Sequence, residues 1–391
     1  MKIGRYISDF GNSITQNMID GHYFEMPSSI TEITQKEAEG LFAESVDPDN
    51  LLKNVVIAIP YNDTKMYFKV GEKATADALG NNHITRLHDK TESITVKALF
   101  LGSLAFYHAY KNPRIDREQE CIVTIEYFQT MLPVWLVKKA PKFSDMLNKM
   151  SNRFLEPMEV EILTPLFERK IIVEVNDASC RIESETARFA LKYDLELNKL
   201  DSASQFESTI VVINDLGGQT QDLSKLRPGL KRPESADDFK PFTDRSYLKT
   251  IEDLRISKLS DLFTDLRSLE AFIFQNIKKK FVFKDPTTQQ EIDVTEVIES
   301  SIENYVKVSI EKALTAFQFT AGQKVVFVHI GGVSELLKDY MQAYLSQKIG
   351  QEIAEEYHIF PENARKLNIY GGEILAKSEL KKRELESRTG E

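Results

Sequence analysis

The sequence is poor in cysteine, in net positive charge and in long apolar runs. Its two cysteines, Cys121 and Cys180, sit in no metal-type or redox-type spacing. That leaves two reduced core thiols and excludes a disulfide scaffold. The formal net charge is −10. A diffuse negative surface disfavours gripping a phosphate backbone, so no direct contact with nucleic acid is expected. The most apolar helical stretch, residues 96–110, contains Lys97 and His108 and is too short to span a bilayer. The start, Met1-Lys2-Ile3-Gly4-Arg5-Tyr6, carries no apolar signal core. The expectation is a cytoplasmic protein with no membrane partner.

What is present is a chain of 391 residues, 42% hydrophobic and 28% charged, which suits two lobes around separate cores. Residues 3–8, 14–20 and 22–26 read as an antiparallel meander with Asp20-Gly21 as a hairpin signal. Residues 94–110 crowd apolar side chains on more than one face, which predicts a buried helix. Strands are expected at 121–130, 160–163, 170–175, 209–213 and 222–226. Asp177 reads as the N-cap of a helix running to about residue 193. Residues 227–244, with Pro228, Pro233 and Pro241, read as a surface loop. Helices are expected at 248–259, 266–279, 295–317 and 334–347, with an apolar strand at 324–330. The mixed-charge tail after residue 377 is expected to fray into solvent.

One pattern recurs, once in each half. Asp9-Phe10-Gly11-Asn12-Ser13 and Asp215-Leu216-Gly217-Gly218-Gln219-Thr220 each follow an apolar strand and precede a return strand. A glycine followed by small polar residues makes a concave site where backbone N–H groups can meet an anion. Two such turns face to face can clamp a polyphosphate. Two aspartates beside a triphosphate repel it unless a cation intervenes, which implies Mg²⁺ held largely through water. One such turn alone reads as an ordinary hairpin; the pair does not. The third element is the apolar run ending in Gly331-Gly332-Val333, where a flat ligand can approach a helix start closely.

This order of motifs resembles the actin, Hsp70 and sugar-kinase superfamily. Within it the chain looks like the ParM-like plasmid-segregation actins, nearest to the Alp-type actins. The supporting runs are Asp9 to Ser13 with Met18-Ile19-Asp20-Gly21, residues 125–133, residues 180–185, residues 215–222 and Gly331-Gly332-Val333. The resemblance implies an α/β actin-like fold of two lobes, each a mixed sheet flanked by helices, with the nucleotide cleft between them. The first lobe is expected at 1–200 with an insert at about 28–92. The second is expected at 201–376 with an insert at about 228–300, followed by a charged tail at 377–391.

The resemblance also implies an ATPase that polymerises head to tail and segregates plasmid DNA through a centromere-binding adaptor protein. Residue by residue, Asp9 would hold the hydrated Mg²⁺ and Gly11, Asn12 and Ser13 the terminal phosphates of ATP or ADP. Asp215 would orient metal-bound or attacking water, and Gly217, Gly218, Gln219 and Thr220 would close the second phosphate turn. Gly331, Gly332 and Val333 would flank the adenosine. Glu183 would position the attacking water, with Glu185 as its rival. Lys278 lies in a run that resembles the actin segment touching ribose and base, and a solvated basic helix end is its plainer reading. Many actins place a lysine seven positions after the first aspartate; here that residue is Gln16. A small-molecule kinase would need a further substrate motif, and a chaperone-type ATPase a substrate domain. Neither is visible.

Overall fold

The computed structural model describes residues 1–61, 64–75, 81–83, 89–113 and 120–389, so the expected insert at 28–92 lies partly outside them. The opening meander is β1 (Lys2–Phe10), β2 (Ile14–Ile19) and β3 (His22–Pro27). Asp20 and Gly21 join the last two with positive φ at both positions, 47° and 84°, as a two-residue hairpin of the right twist requires. There follow β4 (Ser29–Ile33), β5 (Val56–Tyr61), β6 (Thr64–Val70), β7 (Asn81–His83), β8 (Cys121–Leu132), β9 (Met158–Ile162), β10 (Arg169–Val175) and β11 (Ala178–Ile182). They form one sheet in the order β3-β2-β1-β8-β10-β9-β5-β6-β4-β7, with β11 also beside β8.

The helix Ile94–Lys111 is buried from Val96 to Ala109, apart from the half-buried Lys97, as its crowded apolar faces predict. Phe100 on this helix packs against Tyr6 of β1, Phe128 of β8 and Phe154, with ring centroids 4.9–5.5 Å apart. Aromatic contacts of this kind make β1 and β8 the rigid floor on which the first turn stands.

The second sheet holds β12 (Ile210–Leu216), β13 (Gln221–Leu226), β14 (Phe239–Phe242), β17 (Val325–Ile330) and β18 (His358–Ile359), in the order β14-β13-β12-β17-β18. Between them in sequence, β15 (Val282–Lys284) and β16 (Glu291–Asp293) make a separate ribbon. The parallel, apolar β12 and β17 are the central pair. Helices Tyr247–Leu254, Leu266–Asn276, Thr295–Thr315 and Lys338–Ile349 share a second apolar core. The expected helix at 248–259 turns π-helical over Arg255–Leu259, and that at 334–347 is broken at Leu337.

Three expectations are corrected. The helix from Asp177 to residue 193 is instead β11 followed by a short helix, Ala187–Ala190. Cys180 and Ile182 are buried with Arg181 exposed between them, a period of two, and the upper edge of β8 from Phe128 to Leu132 is left for β11 to pair. The loop at 227–244 contains the edge strand β14, where Pro241 is tolerated because an edge leaves one side unpaired. Gly371 and Gly372 lie inside the last helix, Leu367–Thr389. A Cβ at Gly371 would sit 2.1 Å from the Thr186 carbonyl oxygen, and one at Gly372 2.8 Å from Ile7, so both glycines serve close packing. The tail is helical through Thr389, with Arg383 paired to Asp177 and Glu379.

Candidate functional site

The first turn links β1 to β2 through Gly11, Asn12 and Ser13. Its three carbonyl oxygens are all engaged. Gly11 O accepts from Ser28 Oγ at 2.5 Å, Asn12 O from Arg267 at 3.1 Å, and Ser13 O from the Ser28 amide at 2.9 Å. An anion site needs amide hydrogens facing the ligand, so tying back the carbonyls serves it. A Cβ on Gly11 would lie 2.4 Å from the Ile14 carbonyl oxygen, so this position accepts no side chain.

The second turn closes on itself, with the Gly217 amide donating to Thr220 O at 2.9 Å. Gly218 O accepts from the Leu248 amide at 2.8 Å. A Cβ built on Gly218 would come within 3.3 Å of Ser13 Oγ. The two turns therefore meet. Ser13 Oγ also contacts Arg267 and Glu270 of the helix Leu266–Asn276 at 2.8 and 3.2 Å, which fastens the first turn to the opposite lobe.

Four carboxylates converge behind the turns: Asp9 at the end of β1, Asp215 and Asp222 across the β12–β13 ladder, and Glu183 just after β11. Burial, then the charge of Glu183, pushes Asp9 up to about 7. Burial also pushes Asp215 up to about 7, against a hydrogen bond from Asn368 that favours its charged form. Asp222 is also held well above the ordinary carboxylate range, by burial and then by Glu183 and Asp215, and its Oδ1 has no hydrogen-bond partner. A group of acids pushed towards protonation by burial and then by one another is arranged for a cation. Among the described residues, no set of three or more His, Cys, Asp or Glu side chains is grouped to hold a metal directly. Metal bound here would rely on water and phosphate oxygens.

Glu183 reaches this cluster from a strand end, with its amide bonded to Leu132 O at 2.9 Å, and not from the helical face that sequence spacing suggests. Glu185 is turned away and paired to Arg188 at 2.7 Å. Gly331 takes φ 92°, and a Cβ there would strike Asp215 and the Leu216 carbonyl at 2.5 Å. It is thus pressed against the second turn. Gly332 has open space at its Cβ position and Val333 is buried, a surface along which a flat ring can lie. Gln219 and Thr220 are buried in the second turn, and Thr220 Oγ1 donates to Asp222 at 3.2 Å. The glycine cradle, the free Asp222 oxygen and the acid cluster fit a nucleotide and its magnesium. Lys278 is exposed in the turn after the helix Leu266–Asn276, and no side-chain bond ties it to the carboxylates. A cavity of about 580 Å³ beside Phe143, Arg227 and Phe239 contains none of these acids.

Two residues absent from the sequence reading complete the site. Lys90 forms an ion pair with Glu183 at 3.0 Å, its side chain only 4% exposed. Asn368 donates to Asp215 Oδ2 at 2.7 Å and accepts from the Ser184 amide at 3.1 Å, spanning the lobes. Neither lies in a glycine turn or a periodic run, so no local signal marks them.

The family model described as the Alp7A C-terminal domain matches residues 210–364. The crystal structure of the actin-like protein Alp7A superposes with a TM-score of 0.90 at 39% identity, covering 100% of both chains. A 15-stranded ParM filament from Clostridium botulinum matches at TM-score 0.68 and 16% identity, over 96% of this chain and 99% of that one. Bacillus thuringiensis ParM with AMPPNP matches at 0.60 and 16%, over 97% and 98%. At such identities the likeness is one of fold. No curated protein matches the sequence. None of the helices in the described residues is long and apolar enough to cross a membrane. Two glycine turns meeting over an acid cluster, in a chain alike over its whole length to Alp7A, place this chain in the Alp7A family of actin-like proteins.

Proposed function

We propose that this chain is an actin-like ATPase that assembles head to tail with ATP and partitions plasmid DNA through a DNA-binding adaptor. The observation that carries the reading is the meeting of Ser13 and Gly218 in front of Asp9, Glu183, Asp215 and Asp222. The full-length likeness to Alp7A supports it, as does the fold shared with a ParM filament.

In this reading the amides of Gly11, Asn12 and Ser13 bind the terminal phosphates from one side. Those of Gly218 and Gln219 bind from the other, while the Gly217 amide closes the turn on Thr220. Asp9 and Asp215 orient the waters around magnesium, which when bound supplies positive charge to the phosphate oxygens. Glu183 accepts a hydrogen bond from the attacking water and holds it in line. Asn368 keeps the Asp215 carboxylate in one orientation. Gly331, Gly332 and Val333 seat the adenosine. The net negative charge agrees with DNA being held by the adaptor rather than by this chain.

Light scattering and electron microscopy with Mg-ATP, alongside phosphate release, test the proposal. Filaments with ATP, and longer-lived filaments with slowed phosphate release in Glu183→Ala, are expected. Absence of polymer together with phosphate transfer to a sugar would replace it with the kinase reading.

A further inference from the structure

The β1–β2 hairpin offers no cation beside Asp9, and Arg267, which touches the first turn from the opposite lobe, is paired to Glu270. Gln16 stands directly across the β1–β2 ladder from Asp9, so its side chain projects beside that carboxylate. It is neutral. Its Nε2 donates to the Arg365 carbonyl at 2.9 Å, and its Oε1 is buried without a hydrogen-bond partner. A triphosphate entering between four carboxylates therefore finds no positive charge beside Asp9 on the hairpin that binds it.

The charge comes from elsewhere in the chain. Lys90 projects from the segment that precedes the helix Ile94–Lys111, and that segment is held in place from several directions. Arg153 donates to the carbonyls of Lys90 and Ser93, the latter at 3.0 Å. Asp89 accepts from the Thr91 amide at 2.9 Å and the Thr91 hydroxyl at 2.6 Å. Burial opposes the charge on Lys90, and Glu183 and Asp9 more than offset that opposition. A lysine is costly to bury and is held so only where several acids face it. Of those acids only Glu183 is within ion-pair distance, while Asp9, Asp215 and Asp222 all feel the lysine charge.

We propose that Lys90 is the phosphate-binding cation of this chain, standing in for the lysine absent at position 16, and that it leaves Glu183 for the terminal phosphate when nucleotide binds. The inference rests on the nucleotide-binding reading above. The terminal phosphate of a triphosphate carries more charge than one carboxylate, and the long, flexible lysine stem lets Nζ change partner without moving the backbone. The exchange has a second effect. While paired to Lys90, Glu183 has an oxygen occupied; released, it can accept from water. The binding of nucleotide and the readiness of the water-positioning acid are then one event.

The test measures equilibrium binding of fluorescent ATP and ADP to the purified chain, with thermal melting without nucleotide as a control. Lys90→Met is expected to lose about 10- to 100-fold in ATP affinity, the worth of one hydrogen bond to a charged group, and less in ADP affinity. Lys90→Arg is expected to retain much of it. Gln16→Lys combined with Lys90→Met is expected to regain ATP affinity by returning a cation to the hairpin, a rescue that a purely structural role for Lys90 does not give. Should Lys90→Met not fold, the Arg variant and the rescue pair decide. A wild-type chain that binds no nucleotide overturns the ATPase reading and this inference with it. A wild-type chain that binds ATP, with a Lys90→Met that binds it as tightly or a rescue pair that regains nothing, overturns this inference alone.

Discussion

The two phosphate turns look alike in sequence and are built differently. The second is held within its own lobe: its Gly217 amide closes on Thr220, the nearby Leu248 amide holds Gly218 O, and Asp215 lies in register with Asp222 on the return strand. The first depends on other parts of the chain. Ser28 holds two of its carbonyls, and Arg267 and Glu270 grip it from the opposite lobe. A repeated motif therefore need not mean a repeated mechanical role. One turn is a fixed wall, and the other is positioned by contacts that cross the cleft.

The largest expected break in this comparison is a pair of alanine substitutions. Gly11→Ala drives a methyl group into the Ile14 carbonyl at 2.4 Å and should cost about 3 kcal/mol. Gly217→Ala meets Thr220 O at an ordinary 3.4 Å and should change stability by less than about 0.5 kcal/mol. Chemical denaturation of the nucleotide-free chain measures both. Equal costs would mean that the turns are constrained alike. Next, Asn368→Ala removes the bond to Asp215 and leaves the Ser184 amide unpaired, at about 2 kcal/mol. Its signature is weaker ATP binding with the first turn undisturbed in hydrogen exchange.

Arg267→Ala should cost about 1 kcal/mol, since its pair with Glu270 is partly exposed. Faster amide exchange at residues 11–14, with residues 217–220 unchanged, would sharpen the contrast. A further test is one of pH. Asp215 sits at about 7 in the fold against 3.8 as a free carboxyl. Between those values the folded chain holds a proton that the unfolded chain lacks, so this group's contribution falls as pH rises through the window. Asp215→Asn should therefore raise the nucleotide-free melting temperature at pH 8 and leave it unchanged near pH 4. A gain of equal size at both would show that Asp215 is not strained by its neighbours.

The turns were legible because glycine, aspartate and flanking apolar strands are local signals with a direct backbone meaning. The hairpin at Asp20-Gly21 and the buried helix Ile94–Lys111 were read for the same reason. The strand β11 was not. Ile182, Thr186, Phe189, Ala190 and Tyr193 fall at helical spacing, and only the open edge of β8 decides for a strand. Glu183 is singled out by the family resemblance alone, and the helix expected over it is instead the end of β11. Lys90 and Asn368 were invisible because their partners lie far away in sequence, Glu183 for one and Asp215 with Ser184 for the other. Charge partnership across a fold leaves no trace in spacing.

The chain passes between the lobes at two places. It leaves the first lobe after Ile182 and returns between Leu367, which packs in the core of the second sheet, and Ile369, which packs under the first. The amide of Ser184 on one passage is bonded to the side chain of Asn368 on the other. Two tethers that touch act as one pivot. Such a joint opposes sliding, and the bonds of Ser13 to Arg267 and Glu270 across the cleft oppose opening about it. Were those bonds released, relative motion of the lobes would be angular, its displacement growing with distance from Asn368, smallest at the acids and largest at the outer faces of the lobes.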